Sequence, residues 1–147
     1  MHNKSWMLAA VVAALLSGQS LASEKDEATK MVASAVAAAS KDKAAALADM
    51  KNPKGPYVKG EVYVFAYDMS GTTVAHPLNA GLIGKNMLDV PDANGKLFRR
   101  EIMDGIKSSG AATVEYKYKN PQSNKVEDKV TTCRKAADLA ICAGYYK

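Results

Sequence analysis

The chain has 147 residues, with 20 basic and 15 acidic side chains and a formal net charge of +5 at pH 7. This length is enough for one domain with a substantial core. The basic residues are scattered among acidic ones, without a basic run or interleaved aromatic residues, so nucleic acid is not an expected partner. A mildly basic balance favours anionic ligands in a general way.

Residues 1–22 are predicted to be a signal peptide. Lys4 gives a positively charged start, residues 6–16 are an unbroken apolar stretch, and Ser20 and Ala22 fit a cleavage site. The stretch is shorter than the roughly 20 residues of a membrane-spanning helix; an uncleaved anchor is the alternative. We expect an exported protein, periplasmic or secreted, in which residues 23–52 form an N-terminal helical segment and residues 53–147 form the core.

An amphipathic helix is predicted between Glu24 and Met50. Alanine and larger apolar residues recur there with a period near 3.6, and lysine and aspartate occupy the other face. Ser40 is the expected cap of a second helical piece, with a break at residues 40–42. Pro53 and its neighbours end the helix. Its shallow apolar stripe fits either packing on the protein's own sheet or contact with a second molecule, so a dimer through this helix is one expectation.

Five strands and one further helix are predicted downstream. In Val62–Tyr67 aromatic and aliphatic residues alternate, so both faces of this strand are expected to be buried. The other predicted elements are the strands Thr72–Ala75, Ala112–Lys119, Lys125–Arg134 and Leu139–Tyr146, and the helix Lys96–Ser108. A helix followed by an antiparallel sheet with a helix inserted is an α+β pattern.

The connection from Pro77 to Gly95 is rich in glycine, asparagine and aspartate, and at most one short helical turn is expected in it. Loops of this length are usually functional. We therefore expect it to form one wall of a small-molecule pocket.

Cys133 and Cys142 are the only cysteines. An even count in an exported protein favours a disulfide. A two-residue turn at Ala137-Asp138 would place them opposite each other on a hairpin, at a non-hydrogen-bonded pair with Cα atoms about 4.5 Å apart, which a disulfide accepts. Two free buried thiols are the alternative.

Short motifs along the mature chain carry a family resemblance. They are Lys54–Tyr57, Tyr63–Thr72, Ala75–Pro77, Gly84–Asp89, Asp92–Lys96, Tyr116, Asn120-Pro121, Lys129 and Ala143–Tyr145. In this order, from about Lys30 to Lys147, they resemble the single Cache domain, a PAS-like extracytoplasmic sensor module of bacterial chemoreceptors and sensor kinases.

The resemblance implies an α+β fold in which a long N-terminal helix packs on a five-stranded antiparallel sheet, with a pocket between the sheet and the Pro77–Gly95 connection. Members bind small molecules, often short carboxylates. In receptors the domain lies between two transmembrane helices, and the present sequence has no second apolar segment of that length. A membrane-bound receptor or transporter is therefore an expected partner.

The candidate binding residues combine charge with amphipathic rings. His76 ends a strand and faces the long loop, where it would either donate to a bound carboxylate or anchor the loop by bonding its backbone. On base rates Lys129 would be a solvent-facing strand lysine. The resemblance implies instead that it faces the pocket and is the counter-charge of an anion. Tyr63, Tyr67, Tyr116 and Tyr118 suit a small polar pocket or plain core packing. Asp68 and Asn86 are expected to serve turns.

The sequence contains few candidate catalytic residues. The run from Asp68 to Thr72 is similar to a phosphatase signature, but Ser70 stands where the second aspartate belongs. No cluster has zinc-ligand spacing, and no catalytic residue, metal or cofactor is expected. The prediction is a non-enzymatic binder of a small organic anion for sensing or solute capture. A ligand-independent docking module that uses the alanine-rich helix is the alternative.

Overall fold

The N-terminal segment forms two helices in the computed structural model, which describes residues 23–147; the predicted signal peptide lies outside these residues. Helix α1 spans Glu24–Lys41 and helix α2 spans Lys43–Lys51. The break between them lies where it was predicted, but its cap is Asp42, whose carboxylate accepts from the Ala45 backbone N–H. Ser40, the expected cap, instead donates its hydroxyl to the Val36 carbonyl. Asp42 therefore takes the capping role that was predicted for Ser40.

One antiparallel sheet of six strands follows. The strands are β1 Val58–Lys59, β2 Val62–Asp68, β3 Thr73–Ala75, β4 Ala111–Lys119, β5 Val126–Ala136 and β6 Leu139–Tyr146. Their order is β1-β2-β6-β5-β4, with β3 also pairing with β2. The sheet has one strand more than predicted, because β1 is only two residues long and shows no alternation. Helix α3 spans Phe98–Ser109 and begins two residues later than predicted.

The two faces of the sheet bury different side chains. On one face, Val62, Val64 and Ala66 of β2 pack with the apolar stripe of α1 and α2. On the other face, Tyr63, Phe65 and Tyr67 pack with α3 and the facing residues of β4, β5 and β6. The predicted burial of both faces of β2 is confirmed. The aromatic face is the one that contributes the candidate site.

A disulfide joins β5 to β6. Ala137-Asp138 forms the two-residue turn between the paired residues Ala136 and Leu139, and Ala137 adopts the left-handed backbone region with φ 52°. Cys133 and Cys142 are directly paired, with Cα atoms 4.1 Å apart and their sulfurs bonded. The predicted hairpin and its disulfide are confirmed.

The connection between β3 and α3 contains one short 3-10 turn, Ala80–Leu82, and is held by several hydrogen bonds to its neighbours. Near its middle, the Thr73 backbone exchanges hydrogen bonds with Gly84 and Lys85. Near its end, the Asp92 carboxylate accepts from the backbone N–H groups of Lys96 and Lys117, each at 2.8 Å. The second contact ties the connection to β4.

The two polar residues assigned to turns do serve turns. The Asp68 carboxylate accepts from the backbone N–H groups of Ser70 and Thr72. The Asn86 amide donates to the Ser70 carbonyl at 2.9 Å, which holds the connection against that turn. Among residues 23–147, no helix combines the length and apolar character needed to cross a membrane.

Candidate functional site

A small enclosed cavity lies on the aromatic face of the sheet. Its lining comprises all the predicted binding residues, Tyr63, Tyr67, His76, Tyr116, Tyr118 and Lys129, together with Phe65, Thr73, Leu82, Phe98 and Arg99. Its volume is about 10 Å³, which is close to the room that one water molecule needs. The fold thus brings together six residues that are far apart in sequence, while their role in binding stays a prediction.

Lys129 is the most deeply buried charged group of the cavity, with only 1% of its surface exposed. Its Nζ donates to the Tyr63 hydroxyl at 2.9 Å and lies 4.2 Å from the centre of the same ring. The rings of Phe65, Tyr118 and Tyr146 lie slightly above 5 Å away. Burial lowers the pKa of Lys129 to about 7, because a charged ammonium loses its hydration there. Aromatic faces offset part of that loss.

Gly144 explains how Lys129 reaches Tyr63. Gly144 on β6 lies between Thr131 of β5 and Tyr63 of β2 in the sheet register. A Cβ at this position would lie 2.6 Å from Lys129 Cε and 2.9 Å from the Val130 carbonyl oxygen, and would also clash with the Thr131 hydroxyl. The lysine side chain therefore crosses β6 over its glycine, through space that any other residue would fill.

His76 anchors the connection that follows it. Its Nδ1 accepts from the backbone N–H groups of Leu78, at 3.2 Å, and Asn79, at 2.9 Å. Because Nδ1 accepts, the neutral ring carries its proton on Nε2. Burial lowers the pKa of His76 to about 4, and the charges of Lys129 and Arg99 act in the same direction. Nδ1 of His76 therefore anchors the loop, as one of the two predicted roles requires. Nε2 carries the proton and can donate a hydrogen bond.

Arg99 is a cavity residue that the sequence prediction missed. It is 5% exposed, its guanidinium carbon lies 4.2 Å from the centre of the Phe98 ring, and Nη1 donates to the Val90 carbonyl at 3.5 Å. Its spacing from Ile102, Met103 and Ile106 is three, four and seven residues, so it lies on the apolar stripe of α3. That spacing is the signal that could have identified it.

The tyrosines supply hydroxyl groups that stay protonated at neutral pH. Burial raises the pKa of Tyr67 to about 12, with Arg99 acting in the opposite direction. Burial also raises the pKa values of Tyr63 and Tyr116. The Tyr116 hydroxyl is 2.8 Å from Thr131 Oγ1, and its ring stacks on Phe98 with centroids 3.8 Å apart. These rings therefore both build the core and present polar tips.

The charges around the cavity are unbalanced. Lys129 and Arg99 are both buried in its wall, and no aspartate or glutamate is among the lining residues in the described part of the chain. A buried cation is costly without a partner, and a bound anion would supply one. The cavity therefore brings together two cationic groups, a histidine N–H and several hydroxyl groups.

The family comparison agrees with this fold. The chain matches the family described as Single Cache domain 2 over residues 7–146, and it therefore belongs to that family. Among curated proteins, none matches the chain. The match begins inside the predicted signal peptide, and the boundary at Ala22 stays a prediction.

Three solved structures are similar along most of their length. A methyl-accepting chemotaxis protein from Vibrio parahaemolyticus has 23% identity and a TM-score of 0.70, with 83% of this chain and 87% of that chain covered. A periplasmic sensor domain of a chemotaxis protein has 24% identity and a TM-score of 0.65, with 82% and 88% covered. A Cache chemosensory domain studied for its carboxylic acid recognition has 19% identity and a TM-score of 0.72, with 84% and 92% covered. At these identities the likeness establishes the PAS-like α+β fold.

Proposed function

We propose that this protein is a non-enzymatic sensor or solute-capture domain that binds a short carboxylate in the cavity around Lys129. The observation that carries the proposal is the pair of buried cations, Lys129 and Arg99, whose cavity has no carboxylate among its described lining residues. An arginine can hold a carboxylate through two parallel hydrogen bonds. The remaining lone pairs of the anion can then accept hydrogen bonds from the lysine, the histidine Nε2–H and the tyrosine hydroxyl groups.

Such a ligand must be small, and its affinity is bounded. At about −1.5 kcal/mol per non-hydrogen atom for the best small ligands, a carboxylate of four to six such atoms reaches roughly −6 to −9 kcal/mol, which is a micromolar-scale limit. The volume of about 10 Å³ is below what even acetate occupies. Binding therefore requires the connection that carries Leu82 to move outward from the sheet.

The relatives support an extracytoplasmic role. One similar structure is a periplasmic sensor domain and another is a chemosensory domain that recognises carboxylic acids. By extension, we propose that this protein is exported. It would either present its ligand to a membrane-bound receptor or transporter or withhold the ligand from it. A spheroplast fractionation of the tagged full-length chain tests the location, and retention in the cytoplasm would contradict it.

The docking alternative has less support. The apolar stripe of α1, which it requires as an exposed surface, is buried against the sheet at Ala28, Met31, Val32, Ala35 and Ala39. The exposed face of α1 carries charged residues such as Lys25 and Lys30 and small residues such as Ala33, Ser34 and Ala37. We therefore retain anion binding as the proposal.

The decisive experiment is a thermal-shift screen of the purified protein with acetate, propionate, pyruvate, lactate, amino acids and amines. A ligand at 100 times its Kd stabilises by about 2.7 kcal/mol, which raises Tm by several degrees in a domain of this size. We expect a carboxylate hit that Lys129→Met and Arg99→Met each abolish.

Two neighbouring cations provide matched controls. Lys117 on β4 pairs with Asp128, and Arg100 on α3 pairs with Asp89; both side chains are partly exposed. Lys117→Met and Arg100→Met should leave the hit unchanged. A screen with folded protein and no carboxylate hit, or hits that are lost equally in the controls, would reject the proposed site.

A further inference from the structure

A second, larger cleft adjoins the cavity. It has a volume of about 190 Å³ and is lined by Tyr63, His76, Leu78, Asn79, Tyr118, Lys119 and Pro121. Three of these residues, Tyr63, His76 and Tyr118, also line the inner cavity. The two spaces therefore adjoin each other at the same three rings, with Lys129 and Arg99 lining the inner one and Lys119 lining the outer one.

The two spaces differ in chemistry. The inner cavity holds the buried cations Lys129 and Arg99, which suit a carboxylate. The outer cleft adds the side chain of Leu78 and the ring of Pro121 to the tyrosine rings. Leu78 is 39% exposed and is one of few large apolar side chains in residues 23–147 with so much surface in contact with solvent. An apolar group of a ligand that packed on Leu78 would remove this surface from water.

We propose that the outer cleft is a subsite for the hydrocarbon tail of the ligand, so that the protein prefers linear monocarboxylates longer than propionate. The inference rests on the proposed function, because it needs the carboxylate to bind at Lys129 and Arg99. With the head group fixed there, the carbon chain passes His76 and lies against Leu78 and Pro121. The segment that His76 anchors thus also sets the length of acid that is accepted.

The size of the effect follows from burial of methylene groups. Each CH₂ removed from water contributes about 0.8 kcal/mol, which corresponds to a roughly fourfold lower Kd per carbon. Acetate and propionate have the fewest methylene groups to bury and therefore gain least from the cleft. Butanoate, pentanoate and hexanoate should each bind about fourfold more tightly than the acid one carbon shorter, until the cleft is filled.

The test is a calorimetric Kd series from acetate to hexanoate on the wild-type protein and on two variants. Leu78→Ser removes the apolar wall and should flatten the gain beyond propionate while leaving acetate affinity unchanged. Val90→Ser is the matched control, because Val90 is a comparably exposed side chain in the same connection and does not line the cleft. It should keep the full gain. Melting curves of both variants establish that they are folded.

The outcomes separate this inference from the proposal on which it rests. If short acids bind but affinity does not rise beyond propionate, or if Leu78→Ser keeps the rise, the tail subsite is rejected and the carboxylate site stands. If Lys119→Met abolishes binding and Lys129→Met does not, the ligand lies the other way round and the inference is wrong. If no acid of any length binds, both fall together.

Discussion

At the scale of single residues, the site depends on side chains whose neighbours leave them few conformations. Lys129 reaches the cavity only because Gly144 has no side chain. His76 holds two backbone N–H groups on Nδ1, which fixes the plane of its ring and the position of its Nε2 proton. A substitution at Gly144 and a substitution at His76 therefore test these two arrangements separately.

Substitution of His76 should separate loop anchoring from ligand binding. His76→Ala leaves the N–H groups of Leu78 and Asn79 without their acceptor and should lower the free energy of unfolding by about 1–3 kcal/mol. His76→Asn places a carbonyl oxygen near the position of Nδ1, so most of that stability should return. Both variants lack the Nε2 donor and should bind the carboxylate equally weakly. Urea unfolding and calorimetry measure the two effects, and equal stability of both variants would contradict the anchoring role.

Substitution of Gly144 should displace Lys129. Gly144→Ala forces a methyl group against Lys129 Cε and the Val130 carbonyl, and overpacking of this kind costs about 1–3 kcal/mol. Gly81→Ala is the control, since its Cβ would meet only Asn79 Oδ1, at 3.3 Å. The cost of Gly144→Ala should be smaller in a Lys129→Ala background, because residues in contact are not additive. An undiminished cost there would show that Lys129 does not occupy this space.

At the scale of elements, the sequence predicts well wherever periodicity is complete and less well where a strand presents mixed signals. Helix α1, strand β2 and the β5–β6 hairpin follow from spacing alone. The inward direction of Lys129 on β5 does not follow from spacing, because lysine side chains on strands mostly face solvent. The family resemblance was needed to turn Lys129 inward. Arg99 was missed because arginine side chains are mostly exposed, although its spacing from Ile102 and Met103 places it on the apolar stripe of α3.

The disulfide stabilises one element, the β5–β6 hairpin. Closing a loop with a sequence separation of 9 residues contributes about 2.5–3 kcal/mol in the chain-entropy account. Both cysteines are fully buried, so Cys133→Ala with Cys142→Ala is a gentler replacement than serine. The double variant should lose stability by about that amount in urea unfolding and keep its ligand affinity. A loss of affinity without a loss of stability would contradict a purely structural bridge.

At the scale of the whole molecule, one sheet separates a helical support from the binding face. The α1–α2 face is packed with aliphatic side chains, and the other face holds nearly all of the buried polar groups of the site. The fold class was therefore predictable, because a long amphipathic helix and a strand buried on both faces require such layers. The cavity was only partly predictable, since its volume depends on how Leu82 and Arg99 close over the tyrosine rings.

The free energy of unfolding should rise with pH because of Lys129. Its pKa is about 7 in the folded protein and near 10.4 in an unfolded chain, so the unfolded chain holds a proton that the folded protein has lost between these values. Stability relative to Lys129→Met should therefore increase above pH 7 by at most about 1.4 kcal/mol per pH unit and be constant below it. Chemical unfolding of both proteins from pH 6 to pH 9 measures this difference. A difference that does not change with pH would contradict the burial of an ionisable amine.

The lack of a carboxylate beside Lys129, among the described residues, also determines how the proposed anion binding would depend on pH. With a pKa of about 7, the amine is only partly protonated at neutral pH, and an anion beside it raises that pKa. Binding then draws a proton from the surroundings together with the anion. If a carboxylate binds there as proposed, its affinity increases on acidification down to about pH 7 and then levels off, because below that pH the amine is already protonated in the free protein. Above about pH 7, occupancy by such a ligand would therefore respond to the proton concentration as well as to the concentration of the acid.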